Sequence, residues 1–351
     1  MRKLALMLAQ CLLLAGCTGL PQPREMGEMA LLRTVGVDLA GDGVSLTVST
    51  GARSAGVEGE KQAALILKGE GESLTAAALD LSRKSDSYVF FGYVDKLLLG
   101  QPGGDLAGVL EWLSQDGELG LGAKTWLVRE NRAASAVEQG GDEGVERRLS
   151  ALELDAKLGI GPMTRSAGEI FSALLDKGCS FIPGLVMGEE LTDAGYGVVT
   201  TGGLVGWLDE NAARGLELLA EHPMAQSIEV DLDENPVSLR LRGAQLDCRP
   251  IFDRGELVRL DLTVRAQVKV AHFRTEPDPK QREALSRAAG EVLEGQVRLA
   301  LEQLRDWKCD CVGIGSRVAI AAPWHWKGLE GNWPDTFAGV DYTLRVEAAL
   351  I

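Results

Sequence analysis

The chain has 351 residues, a formal net charge of −15 and 45% hydrophobic residues, a length that calls for two or three domains rather than one core. So acidic a balance argues against nucleic acid and anionic lipid headgroups as electrostatic partners. Six cysteines spread over this length are too sparse for a small disulfide-stapled scaffold.

Residues 1–16 carry a basic head, Arg2 and Lys3, then an apolar run from Leu4 to Ala15 broken only by Gln10, and end in Leu14-Ala15-Gly16 ahead of Cys17. This is the layout of a bacterial lipoprotein signal, with small residues at the cut and a cysteine whose thiol takes the lipid. The run is shorter than the roughly 20 apolar residues needed to span a bilayer, so a transmembrane stub is the poorer reading. Cys17 is expected to begin the mature chain and to carry a covalent lipid in place of any cofactor. Residues 17–24, with Pro21 and Pro23, form a tether whose extended reach is on the order of 25 Å. The folded body therefore sits close to the membrane surface.

An N-terminal α/β portion is expected over residues 25–222, divisible into two subdomains. Two strands, 31–39 and 44–50, flank the hairpin turn Gly41-Asp42-Gly43. A loop covers 53–61, and Leu74, Ala77, Ala78 and Leu81 give a helix over 74–85. Strands follow at 88–91, 96–99 and 124–129, with a helix over 105–113 capped by Asp105. Amphipathic helices are expected over 143–158 and 164–175, the second stopped by Gly178, with Phe181-Ile182-Pro183-Gly184 after it. Strands 197–201 and 203–208 lead to Asp209, which caps a helix reaching Glu221.

A C-terminal α+β domain is expected over 223–351. Its β-rich stretches are 227–232, 236–248 and 256–273; in the last, Val258 to Val270 alternates apolar with polar residues, as a long strand with one wet face does. The apolar phase shifts across Gly243, as a bulge requires. An amphipathic helix over 278–307 is about 42 Å long at 1.5 Å per residue, enough to cover that sheet. A shorter helix at 317–327 and a strand at 340–348 close the chain. The fold class is α+β, a mixed α/β multi-domain chain of mixed and antiparallel sheets packed with helices, its C-terminal antiparallel sheet covered by one long helix.

Catalytic signatures are scarce. His222, His272 and His325 stand in no paired-ligand spacing, and Gly313-Ile314-Gly315 lacks the third glycine of a dinucleotide fingerprint. In Gly117 to Thr125, Ala123 separates Gly122 from Lys124, which misplaces the lysine for a phosphate loop. Neither metal nor enzymatic activity is expected. Cys179, Cys248, Cys309 and Cys311 remain once Cys11 leaves with the signal, and their pairing is open, from free thiols to two disulfides. Trp307, Trp324, Trp326 and Trp333 crowd the end of the chain, where large aromatics fill a core by default or else anchor an interface; Trp324 and Trp326 flank His325 and do not both face inward easily on one helix, which leaves one of them open to a partner.

The order of several short motifs resembles the Ger(x)C family, the lipoprotein C subunits of spore nutrient-germinant receptors. After the signal come Thr34-Val35-Gly36-Val37-Asp38, then Gly92 to Gly100 around Tyr93-Val94-Asp95-Lys96, then Gly195-Tyr196-Gly197 leading to Gly206-Trp207-Leu208. Asp310 to Gly315 and Pro323 to Lys327 follow, with Trp333 and Phe337 beyond. The chain departs from the family pattern at Tyr93, where histidine is usual, at 211–215, a loose version of a Glu-Thr-Arg-Gly stretch, and at Ala271-His272-Phe273. The resemblance implies a non-enzymatic subunit, lipid-anchored to the outer face of the cytoplasmic membrane that becomes the spore's inner membrane. It would dock on the integral membrane A and B subunits during nutrient-triggered germination, and Trp207, Arg214, Trp324, Trp326 and Trp333 are the candidate docking residues. The rival is a substrate-binding lipoprotein of an ABC-type transporter, which needs two parallel-sheet lobes around a cleft.

Overall fold

The computed structural model describes residues 29–40, 43–54, 61–101, 106–115, 120–222, 226–232, 235–271 and 277–351. The signal, Cys17 and the tether lie outside them, as do the turn residues Gly41 and Asp42, Asp105, Pro223 and His272.

The first half runs β1 (Met29–Leu31), β2 (Thr34–Ala40), β3 (Gly43–Ser49), β4 (Arg53–Ser54), β5 (Lys61–Gln62), β6 (Ile66–Gly71), α1 (Leu74–Lys84), β7 (Tyr88–Phe90), β8 (Lys96–Leu99), α2 (Leu106–Gln115), β9 (Lys124–Val128), α3 (Ala133–Gln139) and α4 (Glu146–Leu158). It continues through β10 (Arg165–Ser166), α5 (Ala167–Lys177), β11 (Cys179–Met187), β12 (Leu191–Thr200), β13 (Gly203–Leu208) and α6 (Glu210–Leu219). The larger sheet has the order β13-β12-β11-β9-β8-β2-β3-β6, with β10 beside β9. Its four central strands are parallel and its flanks antiparallel.

Parallel neighbours need crossovers, and the helices that supply them cover both faces of the sheet. Leu97, Leu99 and Leu127 point to the face packed with α1, α2 and α5, while Leu98, Trp126 and Val128 point to the face packed with α3 and α4. That is the two-residue alternation of a strand buried on both sides. At one edge α1 lies so close to β6 that a Cβ on Gly69 would overlap the backbone of Ala77.

The second half runs β14 (Ser227–Leu232), β15 (Asn235–Asp253), β16 (Glu256–Val270), α7 (Pro279–Asp306), α8 (Ile314–Ala321), α9 (Pro323–Leu329), α10 (Trp333–Gly339) and β17 (Asp341–Leu350). The sheet order is β14-β15-β16-β17, and the register shifts between Leu241 and Gly243, where the sequence phase changes. Asp278 caps α7 through a capping box with Gln281. Leu285, Ala289, Leu293, Val297, Ala300, Leu301 and Leu304 of that helix bury against Leu239, Leu241, Leu260, Leu262, Val264, Ala266 and Val268. The same core takes in Met163, Phe181 and Tyr196 of the first half.

Several details differ from the sequence expectation. The sheet is antiparallel through β14, β15 and β16, but β17 joins β16 in parallel because the chain returns through α7 to α10. The single helix expected over 317–327 is two, broken at Ala322 (φ −142°, ψ 65°), since proline disfavours helical geometry in the residue before it. The sequence pattern predicts no element at α3, α10, β6 or β11, and the ends of the loop expected over 53–61 pair as β4 and β5.

Candidate functional site

Four motif residues turn out to be buried hubs. Asp38 accepts hydrogen bonds from the backbone N–H groups of Ala133 (2.7 Å) and Ala134 (2.9 Å), so it caps a helix that lies far along the chain. Lys96 is buried and pairs with Glu153 at 2.5 Å and with Asp95 at 3.5 Å, fixing β8 to α4. The Tyr196 hydroxyl donates to Glu217 Oε1 (2.5 Å) and accepts from the N–H of Met163 (2.5 Å), while Gln226 donates to the other Glu217 oxygen. Burial pushes the Glu217 carboxyl and the Tyr196 phenol upward. This network is closed within the core and offers no acid or base to a substrate.

The fourth hub is Asp310. Its carboxylate accepts from the N–H groups of Gly313 (2.9 Å), Ile314 (2.8 Å) and Gly315 (2.6 Å) and from the indole Nε1 of Trp333 (2.9 Å). Burial raises its pKa against the pull of these donors. A charge held by four N–H groups needs no cation beside it, and here it ties the start of α8 to α10. Gly315 is required, because a Cβ there would overlap both the Trp333 and Trp326 rings.

The tryptophans divide accordingly. Trp333 is buried on Asp310, and Trp326, half-buried, lies 5.1 Å from it between ring centroids. Trp324, by contrast, is 82% exposed at the far side of α9, with Lys327 Nζ 5.3 Å from its ring and Ile320, 83% exposed, on α8. His325 between them stacks on Phe252 at 4.2 Å. Trp207 and Arg214 stand apart on β13 and α6. Trp207 packs against Gly184 and Gly197 under the Arg129 guanidinium, and Arg214 pairs with Glu210 at 3.1 Å. Of the five, Trp324 is the side chain whose surface is left open.

Among the described residues no three His, Cys, Asp or Glu side chains converge on a metal position, and no helix is long and apolar enough to cross a membrane.

Residues 22–187 match the family model described as the spore germination protein N-terminal domain. Residues 194–351 match the model described as spore germination B3/GerAC like, C-terminal. The chain belongs to the Ger(x)C family. Its fold agrees with a solved Ger(x)C structure described as the crystal structure of the GerBC protein, with a TM-score of 0.61 at 15% identity over 90% of this chain and 96% of that one. No curated protein matches. Ger(x)C membership makes the chain a spore-germination protein of the germinant-receptor C subunit class, associated with the spore membrane, and not a member of a known enzyme family. Within that Ger(x)C frame, sequence reading had found Trp324 but not Ile320. A lone isoleucine in an apolar helix carries no signal of its exposure.

Proposed function

We propose that this chain is the lipid-anchored C subunit of a spore germinant receptor, acting without catalysis by docking its folded surface on the integral membrane A and B subunits. The observation that carries the proposal is the match of both family models in order along the chain, joined to an open tryptophan on a rigid support. Tryptophan is favoured at interface centres because it supplies large contact area at small entropic cost. In this reading Trp324 and Ile320 meet the partner, while Trp326, Trp333 and Asp310 hold them in place. Trp207 and Arg214 remain secondary candidates on a separate face.

The lipid on Cys17 confines the body to the membrane surface and raises its effective concentration beside the partners without any direct contact energy. A transporter's binding protein would need two lobes about a cleft, and the continuous sheet from β13 to β6 does not divide in that way. Spores carrying Cys17→Ala test the anchor. The variant should leave the membrane fraction and germinate poorly on nutrients. Normal germination, with wild-type levels of the A and B subunits, would show that the anchor is unnecessary.

A further inference from the structure

A cavity of about 320 Å³ opens where the two halves of the chain meet. Arg165, Lys177 and Phe181 reach it from β10, α5 and β11, while His222, Cys311 and Val312 reach it from the segments that follow α6 and precede α8. That volume is at the small end of the range for ligand pockets, which favour such junctions. Phe181, Cys311 and Val312 are buried and give the cavity an apolar floor; Lys177 and His222 are exposed and stand at its mouth.

Charge in this cavity is one-sided. The Arg165 guanidinium donates to Ser180 Oγ (2.9 Å) and to the backbone carbonyls of Phe181 (3.0 Å) and Glu169 (3.2 Å), and its centre lies 4.2 Å from the centroid of the Phe181 ring. Those partners are neutral, so they fix the cation without neutralising it. Lys177 lies against the turn before α8, where a Cβ on Gly313 would stand 3.3 Å from its Nζ. Among the described residues neither Arg165 nor Lys177 enters an ion pair. Glu169 brings a carboxylate to the lining, but its Oε2 is taken by the N–H and the hydroxyl of Ser166 in the capping box of α5. Burial lowers the Arg165 pKa in spite of that nearby charge. Carboxylates are plentiful in a chain of net charge −15, yet none is set squarely against these two cations.

We propose that this cavity binds a small organic carboxylate with an apolar body, its carboxylate held between Arg165 and Lys177 and its hydrocarbon part laid against Phe181 and Val312. The site stands independently of the docking reading. A guanidinium offers five N–H donors in a planar fork suited to a carboxylate, and the three contacts of Arg165 leave it donors to spare. Because those contacts already hold it, binding needs little further ordering. His222 can add a ring N–H at the mouth. An inorganic anion would leave the apolar floor uncovered, and a neutral ligand would leave both cations without a counter-charge. Occupancy ties β11 and α5, within the part matched by the N-terminal family model, to the Cys311-Val312 segment in the part matched by the C-terminal one.

The test is calorimetric titration of the full chain in detergent with benzoate and with isovalerate, a flat and a branched carboxylate, beside their neutral amides and inorganic phosphate. At least one carboxylate should bind saturably, with a Kd on the order of 1 mM, and should raise the melting temperature as its concentration rises. Its amide and phosphate should bind at least about tenfold more weakly. Lys177→Gln, at an exposed side chain, should keep the ligand-free melting temperature and weaken the carboxylate at least about tenfold, whereas Lys177→Arg should retain it. Arg165→Gln should weaken it further. No saturable binding of either carboxylate up to about 20 mM, equal affinity for the amide or for phosphate, or an unchanged affinity in Lys177→Gln would overturn the proposal. Lys177→Gln decides the matter even where Arg165→Gln fails to fold.

Discussion

The buried aspartates Asp38 and Asp310 are settled by N–H groups as much as by cations. Asp310 has four such donors, and Asp38 has two at the start of α3 with the Arg132 guanidinium at 3.7 Å. Asp193, on β12, lacks that provision. Burial and the neighbouring Asp155 raise it to about 6, against the smaller pull of Arg148. A carboxyl raised on folding contributes most below its unfolded value, near 3.8, and that contribution is lost as pH rises through about 6, because the native state then gives up a proton the unfolded chain had already released. Asp193→Asn should therefore be more stable than wild type at about pH 7.5, with the gap closing toward about pH 4. Urea unfolding at the two pH values measures it; a gap that does not change with pH would assign the effect to something other than titration. Little of this was legible in the sequence. Asp38 and Asp310 could be picked out as motif members, but the donors to Asp38 come from α3 and the indole on Asp310 from α10, and spacing along a chain does not reveal such partners; of the donors, Gly313, Ile314 and Gly315 alone stand near in sequence, beside Asp310.

Periodicity made the longest elements readable. The alternation of Val258 to Val270 gave β16, and the apolar stripe from Leu285 to Leu304 gave α7 nearly to the residue. It failed where the pattern was thin. The α3 sequence Ala133-Ala134-Ser135-Ala136-Val137 is small and buried on the sheet rather than amphipathic, and β6 carries glycines that exist to admit α1. Strand direction was also unreadable, since alternation is the same for a parallel and an antiparallel neighbour, and β17 is parallel. The loose Arg214-Gly215 motif gains a physical meaning at this scale: a Cβ on Gly215 would overlap the backbone of Gln296, so α6 rests directly on α7. In a free helix Gly→Ala stabilises by about 1 kcal/mol. Gly215→Ala should instead destabilise by roughly 1–3 kcal/mol, the usual cost of overpacking. A denaturant midpoint at or above that of wild type would show that the helices can separate without loss.

At the scale of the whole molecule, two layered halves share core residues: Met163, Phe181 and Tyr196 pack in the cluster that also holds β15, β16 and α7. The Asp310 corner is built into that shared body, so a partner proposed to seat on Trp324 would press against packed core rather than a loop. The family could be recognised in the sequence because its motifs keep their order, and four of their residues, Asp38, Lys96, Tyr196 and Asp310, prove to be buried hubs. The exposure of Trp324 and Ile320, on which the proposed docking face rests, was less legible. Replacing the exposed Trp324 by alanine should change stability by no more than about 0.5 kcal/mol, which leaves binding as the quantity it alters.

The most direct measurement is a pull-down from detergent-solubilised spore membranes with the chain tagged at its C-terminus, run in parallel for wild type and Trp324→Ala. Two polytopic membrane subunits should co-purify with the wild type in near-equal amounts, and their recovery should fall for the variant while its melting temperature holds. Recovery of neither subunit, or of an ABC-type permease with its ATPase in their place, would contradict the account.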